Sequence, residues 1–190
     1  MTGLPVELVT QSRGFIRDAY VKNLRSKERK IVSRYDATFT ADDPFPDQQT
    51  SRGPDPLLDG MTRTYGSAFA TYAREELGFK TEMTYVLLAN DIAGKWDWGE
   101  GGGRATASVS EDIRELLSLD PGFRLMIAHG YSDMVTPYSV SRYMLDHLPA
   151  IGDPTRAGLR NYRGGHMFYI DANSRRAFST DAKTFYDGEP

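Results

Sequence analysis

The sequence contains no cysteine. That excludes a disulfide framework, a thiolate metal site and a cysteine nucleophile, and it leaves the compartment open, because a secreted protein can do without disulfides. No apolar run approaches the roughly 18 residues needed to cross a bilayer, so no membrane span is expected. The start, MTGLPVELVTQSRGF, has no basic region followed by an apolar run and does not read as a signal peptide. Excess charge is small. A net charge of −3 and a pI near 5.6 give no global basic field for nucleic acid or an anionic membrane. Histidine is scarce, three in all, and no pair has metal-ligand spacing such as HxxxH, so no metal is expected.

What remains is an ordinary globular composition: 190 residues, 39% hydrophobic and 26% charged, enough for one domain with a real core. Residues 5–30 read as helix. Pro5 suits its first turn, and Phe15, Ala19, Lys22 and Leu24 form a modest apolar stripe. The basic run KNLRSKERK (22–30) reads as the solvated end of that helix, favourable beside the negative end of its dipole. Residues 31–40, IVSRYDATFT, alternate apolar and polar and predict a strand. Residues 41–56 hold four of the ten prolines, four Asp and a Gly, which predicts an exposed loop. A helix is predicted over 57–77 with Gly78 as its stop. An extended or irregular stretch around Trp96 and Trp98 follows. GEGGGR (99–104) lacks the Lys-Ser/Thr of a phosphate loop and reads as a flexible connection.

From residue 107 the pattern is regular. A helix is predicted over 107–121, with Ser110 able to cap it, acidic residues in its first turn and Pro121 after its end. FRLMIAHG (123–130) reads as a buried parallel strand, 139–148 as a helix, 156–164 as a second strand and 174–186 as a closing helix. This order implies an α/β class with a parallel sheet flanked by helices.

In open parallel sheets functional residues gather at the C-terminal ends of strands. Here those positions are Gly130-Tyr131-Ser132-Asp133 and Gly164-Gly165-His166. With the two strands as neighbours, a carboxylate at Asp133 can accept a hydrogen bond from His166, fix its tautomer and stabilise the imidazolium. The glycines before His166 permit a tight turn. The plainer alternatives are Asp133 as a turn former or cap of the helix after Pro137, and His166 as a surface residue. His129 reads as a packed or polar strand residue. His147 reads as a helix-end residue stabilised by the dipole.

HGYSDMVTP, followed about 30 residues later by YRGGHMFYID, closely resembles the end of the serine carboxypeptidase family of the α/β-hydrolase superfamily. In that family a G-x-x-D-x-x-T/C-P loop supplies the triad aspartate and a G-H-M loop the histidine, which correspond here to Asp133 and His166. The resemblance is strongest over 107–188, including the closing MFYIDANSRRAFSTDAKTFYDG. Upstream, TGLPVELV, IVSRYDATFT and the helix at 57–77 resemble the segment such enzymes insert as a cap. The resemblance therefore implies a mainly helical cap segment over 1–106 and, over 107–190, the C-terminal portion of an α/β-hydrolase parallel sheet with flanking helices.

The departure is the nucleophile. The family's serine stands in a G-x-S-x-G elbow upstream of the Asp and His, and no such motif occurs here. Ser132, one residue before Asp133, is not placed to be that elbow. The expectation is thus the last two-fifths or so of a serine-type carboxypeptidase, inactive alone. The resemblance implies a peptide substrate in the intact enzyme, no cofactor, a partner in the missing N-terminal half and an exported parent. The alternatives are a non-catalytic binding domain acting through an exposed sheet edge and the cap surface, and a parent that is an esterase or acyltransferase with the same triad.

Overall fold

The computed structural model describes residues 3–13, 16–99 and 108–188. Phe15 and most of the Gly-rich stretch, residues 100–104, lie outside the described residues. The chain divides into two compact units, one made of the residues up to Pro56 together with those from Val109 on, the other of Leu57–Ser108. The sequence boundary at 106/107 falls close to one of these divisions, but residues before Pro56 pack with the second half of the chain.

The first unit opens with two short helices, α1 (Val6–Gln11) and α2 (Arg17–Asn23), and a 3-10 turn at Ser26–Glu28, where one continuous helix was predicted. Lys22 is not solvated. Its side chain is 5% exposed and paired with Asp43, itself 4% exposed, and its ammonium also donates to the Phe45 carbonyl at 2.7 Å. A buried cation needs such partners, because an unpaired one would forfeit its hydration. Burial opposes ionisation of Asp43, but the bond from Lys22 and the Phe45 N–H outweigh it and hold the carboxyl below its ordinary range.

The predicted strand over 31–40 is two strands. β1 (Lys30–Val32) pairs antiparallel with β2 (Thr40–Asp42), Ile31 opposite Ala41. The break begins at the fully buried Ser33. Its hydroxyl accepts from the N–H groups of Tyr35 and Asp36, and Asp55 accepts from the Ser33 hydroxyl and the Arg34 N–H. Side chains thus take the N–H groups that a strand ladder would use.

In the same unit α4 (Ser110–Leu119) leads into β3 (Leu125–Gly130), α5 (Tyr138–Asp146), β4 (Ala157–Tyr162) and α6 (Ala172–Asp187). β3 and β4 pair parallel, Leu125 opposite Ala157 through Gly130 opposite Tyr162. Side chains alternate between the faces of a strand. The face carrying His129 meets α5, since His129 Nε2 lies 2.8 Å from Ser141 Oγ. The opposite face carries Tyr162, whose hydroxyl donates to Asp181 of α6 at 2.6 Å. Burial and then the Asp181 carboxylate push the Tyr162 phenol up from its ordinary value. Helices therefore cover both faces of a parallel pair, a mixed helix–strand arrangement of the α/β type.

Helix ends are secured locally. α6 starts earlier than predicted because Asp171 accepts from the N–H groups of Asn173 and Ser174, and it ends at Gly188 with φ of 77°. α4 begins at Ser110, so that residue stands inside the helix rather than before it. The Arg156 guanidinium donates to the carbonyls of Leu117 and Asp120 at the other end of α4, at 2.8 and 2.9 Å.

In the second unit α3 (Leu58–Glu75) matches the predicted helix and Gly78 takes a positive φ after it. The chain from there to Gly99 is irregular apart from a 3-10 turn at Asn90–Gly94, and the Trp96 and Trp98 rings lie 6.0 Å apart. Among the described residues no helix is long and apolar enough to cross a membrane.

Candidate active site

The parallel ladder does not stop where β3 and β4 end. The Tyr131 N–H donates to the Tyr162 carbonyl at 3.0 Å and the Ser132 N–H to the Gly164 carbonyl at 2.9 Å. The two loops at the C-terminal end of the pair are therefore stitched directly together. Their approach needs glycine. A Cβ on Gly130 would stand 2.0 Å from the Gly165 carbonyl oxygen, and one on Gly165 would stand 2.0 Å from the Tyr35 carbonyl oxygen.

Asp133 and His166 meet across this junction, His166 Nδ1 lying 2.9 Å from Asp133 Oδ2. The carboxylate is 3% exposed and the imidazole 39% exposed. Asp133 is also the turn former that the plainer reading anticipated. Its Oδ1 accepts from the N–H groups of Val135 at 2.7 Å and Thr136 at 3.0 Å, and its Oδ2 from the Thr136 hydroxyl at 2.8 Å. It does not cap α5, whose first turn is preceded by Pro137. Burial disfavours the charge on Asp133, but the bond to His166, with those from Thr136 and Val135, outweighs it and holds the carboxyl below its ordinary range. An ionised carboxylate at Nδ1 selects the tautomer with its proton on that nitrogen, which leaves Nε2 as the basic one.

The His loop is anchored behind the imidazole by aromatic packing. Phe168 stacks on Tyr162 with centroids 4.9 Å apart, and Phe178 of α6 meets both edge-on at 5.5 and 5.8 Å. Such contacts contribute roughly 0.5–1.5 kcal/mol each beyond their burial. The Ser174 hydroxyl donates to the Arg163 carbonyl at 2.7 Å.

The segment between β1 and β2 forms a third side that the sequence reading missed. The His166 N–H donates to the Tyr35 carbonyl at 2.6 Å, the Met134 N–H to the Arg34 carbonyl at 3.1 Å and the Ala37 N–H to the Ser132 carbonyl at 3.1 Å. The Tyr35 ring meets the His166 ring edge-on at 5.6 Å. The Ser132 hydroxyl donates to Asp36 Oδ1 at 2.7 Å. The available signal was Ser33, Asp36 and Thr38 within a supposed strand, residue types whose side chains compete for backbone hydrogen bonds.

The other histidines stand apart. His129 bonds Ser141 on the face of the sheet. His147 Nδ1 lies 2.7 Å from the Tyr143 carbonyl oxygen, with the two rings stacked at 3.9 Å. Among the described residues no group of three or more His, Cys, Asp or Glu is placed to hold a metal ion. Comparison with known proteins found no matching family model, no similar curated protein and no similar solved structure.

Proposed function

We propose that this chain supplies the acid–base half of a serine-type acyl hydrolase of the carboxypeptidase kind, with Asp133 as orienting carboxylate and His166 as proton carrier. The observation that carries the reading is the 2.9 Å contact between a buried carboxylate and an exposed imidazole at the C-terminal ends of adjacent parallel strands. A serine outside these 190 residues would attack the carbonyl of a peptide's last bond. His166 takes the hydroxyl proton at Nε2 and returns it to the departing amine. Water then enters by the same route, giving a proton to His166 as it attacks the acyl-enzyme, and His166 passes that proton to the serine oxygen as the acyl–serine bond breaks. Asp133 stays ionised throughout and stabilises the imidazolium.

Ser132 is a poor candidate for the nucleophile because its hydroxyl is already given to Asp36. The purified chain should therefore show no peptide turnover above the uncatalysed rate and no labelling by a fluorophosphonate. Turnover that vanishes in His166→Ala would defeat the claim that the nucleophile lies elsewhere. In a longer polypeptide joining this chain to a G-x-S-x-G segment, hydrolysis should fall roughly 10³-fold or more on His166→Ala or Asp133→Ala.

A second reading, a non-catalytic binding domain, is favoured by one feature of the Leu57–Ser108 unit. Phe69, Ala73, Phe79, Met83 and Tyr85 line a largely apolar groove of about 410 Å³. Saturable binding of peptides to the isolated 190-residue chain, lost in Phe69→Asp and kept in His166→Ala, would favour it.

A further inference from the structure

We infer that Asp36 is a positioning residue for the Asp133–His166 pair, acting through Ser132 and the turn Tyr35–Ala37. This rests on the reading of that pair as an acid–base dyad. Three consecutive residues of the turn hold the two loops at once. Tyr35 receives the His166 N–H on its carbonyl, Asp36 receives the Ser132 hydroxyl on its carboxylate, and Ala37 gives its N–H to the Ser132 carbonyl. Ser132 is the residue before Asp133, and its backbone sets where the Asp133 side chain starts. The turn thus fixes the separation of the two catalytic side chains as a splint fixes two bones.

Asp36 is the centre of the splint. It is 5% exposed, and its Oδ1 also accepts from the Thr38 N–H at 2.9 Å and the Thr38 hydroxyl at 2.7 Å. These bonds close the turn on itself while the Ser132 bond reaches 96 residues along the chain. The turn is clamped at its other end, where Ser33 and Arg34 donate to Asp55 at 2.6 and 2.8 Å. Gly165 completes the fit, because its missing side chain lets the His loop lie directly on the Tyr35–Asp36 backbone. A carboxylate is suited to this place since one oxygen can accept from several donors, and charged acceptors make the stronger hydrogen bonds.

The test is the Nδ1–H proton of His166, observed by NMR on the ¹⁵N-labelled chain. A hydrogen bond to an ionised carboxylate shifts that resonance downfield, and its assignment follows from its loss in His166→Gln. Asp36→Ala should lose the downfield resonance while the ring signals of His129 and His147 stay in place. Asp36→Asn keeps an oxygen for Ser132 and Thr38 and should retain it. An unchanged resonance in folded Asp36→Ala, or its loss in Asp36→Asn as well, overturns the inference. Should Asp36→Ala fail to fold, Ser132→Ala removes only the bond from the Ser132 hydroxyl to Asp36 and leaves the backbone bonds between the turn and the Asp loop in place. Loss of the resonance there supports the inference and persistence overturns it. A resonance that is absent from the unsubstituted chain, or that survives Asp133→Ala, instead defeats the dyad reading itself.

Discussion

The two compact units are held together by different physics. In the unit formed by the residues up to Pro56 and those from Val109 on, polar side chains are taken inside and used. Lys22, Ser33, Asp36, Asp133 and Ser174 are all buried, and each has a named partner, most of them far away in sequence. In the Leu57–Ser108 unit, α3 carries two internal glycines, Gly60 and Gly66, that each cost a helix roughly 1 kcal/mol relative to alanine. Among the described residues of this unit only Leu57 and Ala73 are buried hydrophobic side chains, while Tyr65, Tyr72, Phe79 and Met83 are exposed. One unit is specified by long-range polar geometry, while the described residues of the other form one α-helix, a 3-10 turn and irregular chain. Asp133 and His166, 33 residues apart in sequence and joined by a hydrogen bond, both lie in the first unit.

The sharpest way to break this comparison is to unpair the buried cation. Lys22→Ala should destabilise the chain by about 3 kcal/mol, because Asp43 would be left charged and buried, and urea denaturation at pH 7 measures it. The double variant Lys22→Met with Asp43→Leu should recover most of that loss. A Lys22→Ala chain as stable as the parent would show that the polar interior is incidental to the first unit.

A middle-sized effect is expected at Asp133. Its carboxyl is held below the ordinary range in the folded chain. The stabilisation is therefore complete above the unfolded value, about 4, and is lost as pH falls through the lower folded value. Asp133→Asn should be less stable than the parent at neutral pH by about 1–2 kcal/mol, with the gap closing below about pH 4. Melting curves of both chains across that range decide it. A gap that widens on acidification would mean the carboxyl is not held low.

The smallest effect belongs to the second unit. Met83 is 82% exposed, and Met83→Ser should change stability by no more than about 0.5 kcal/mol. Hydrogen exchange should likewise be faster in the amides of α3 than in those of β3. Slow exchange in α3, or a large cost at Met83, would erase the distinction between the units.

How much of this was legible varies by residue. The apolar run before Gly130 and the spacing of β3, α5, β4 and α6 are local signals, and the structure follows them closely. Asp133 and His166 could be named as candidates because each stands in a loop after a predicted strand and within a motif that carries the family resemblance. Lys22 was misjudged because a lysine in a basic run gives no sign of a partner such as Asp43, 21 residues on. The strand over 31–40 was misjudged because alternation of apolar and polar residues says nothing about Asp55, which takes the first N–H of the turn.

The sequence by itself determined α3, α5, α6 and the parallel strands β3 and β4, and offered Asp133 and His166 as candidates beyond the strand ends, since periodicity, capping and glycine placement act within a few residues of the chain. The tertiary structure alone decided that Tyr35, Asp36 and Ala37 lie across both loops. That arrangement is built from hydrogen bonds and one close backbone approach between segments about 100 residues or more apart. Such bonds depend on where the folded chain brings its own backbone, and no local pattern records it.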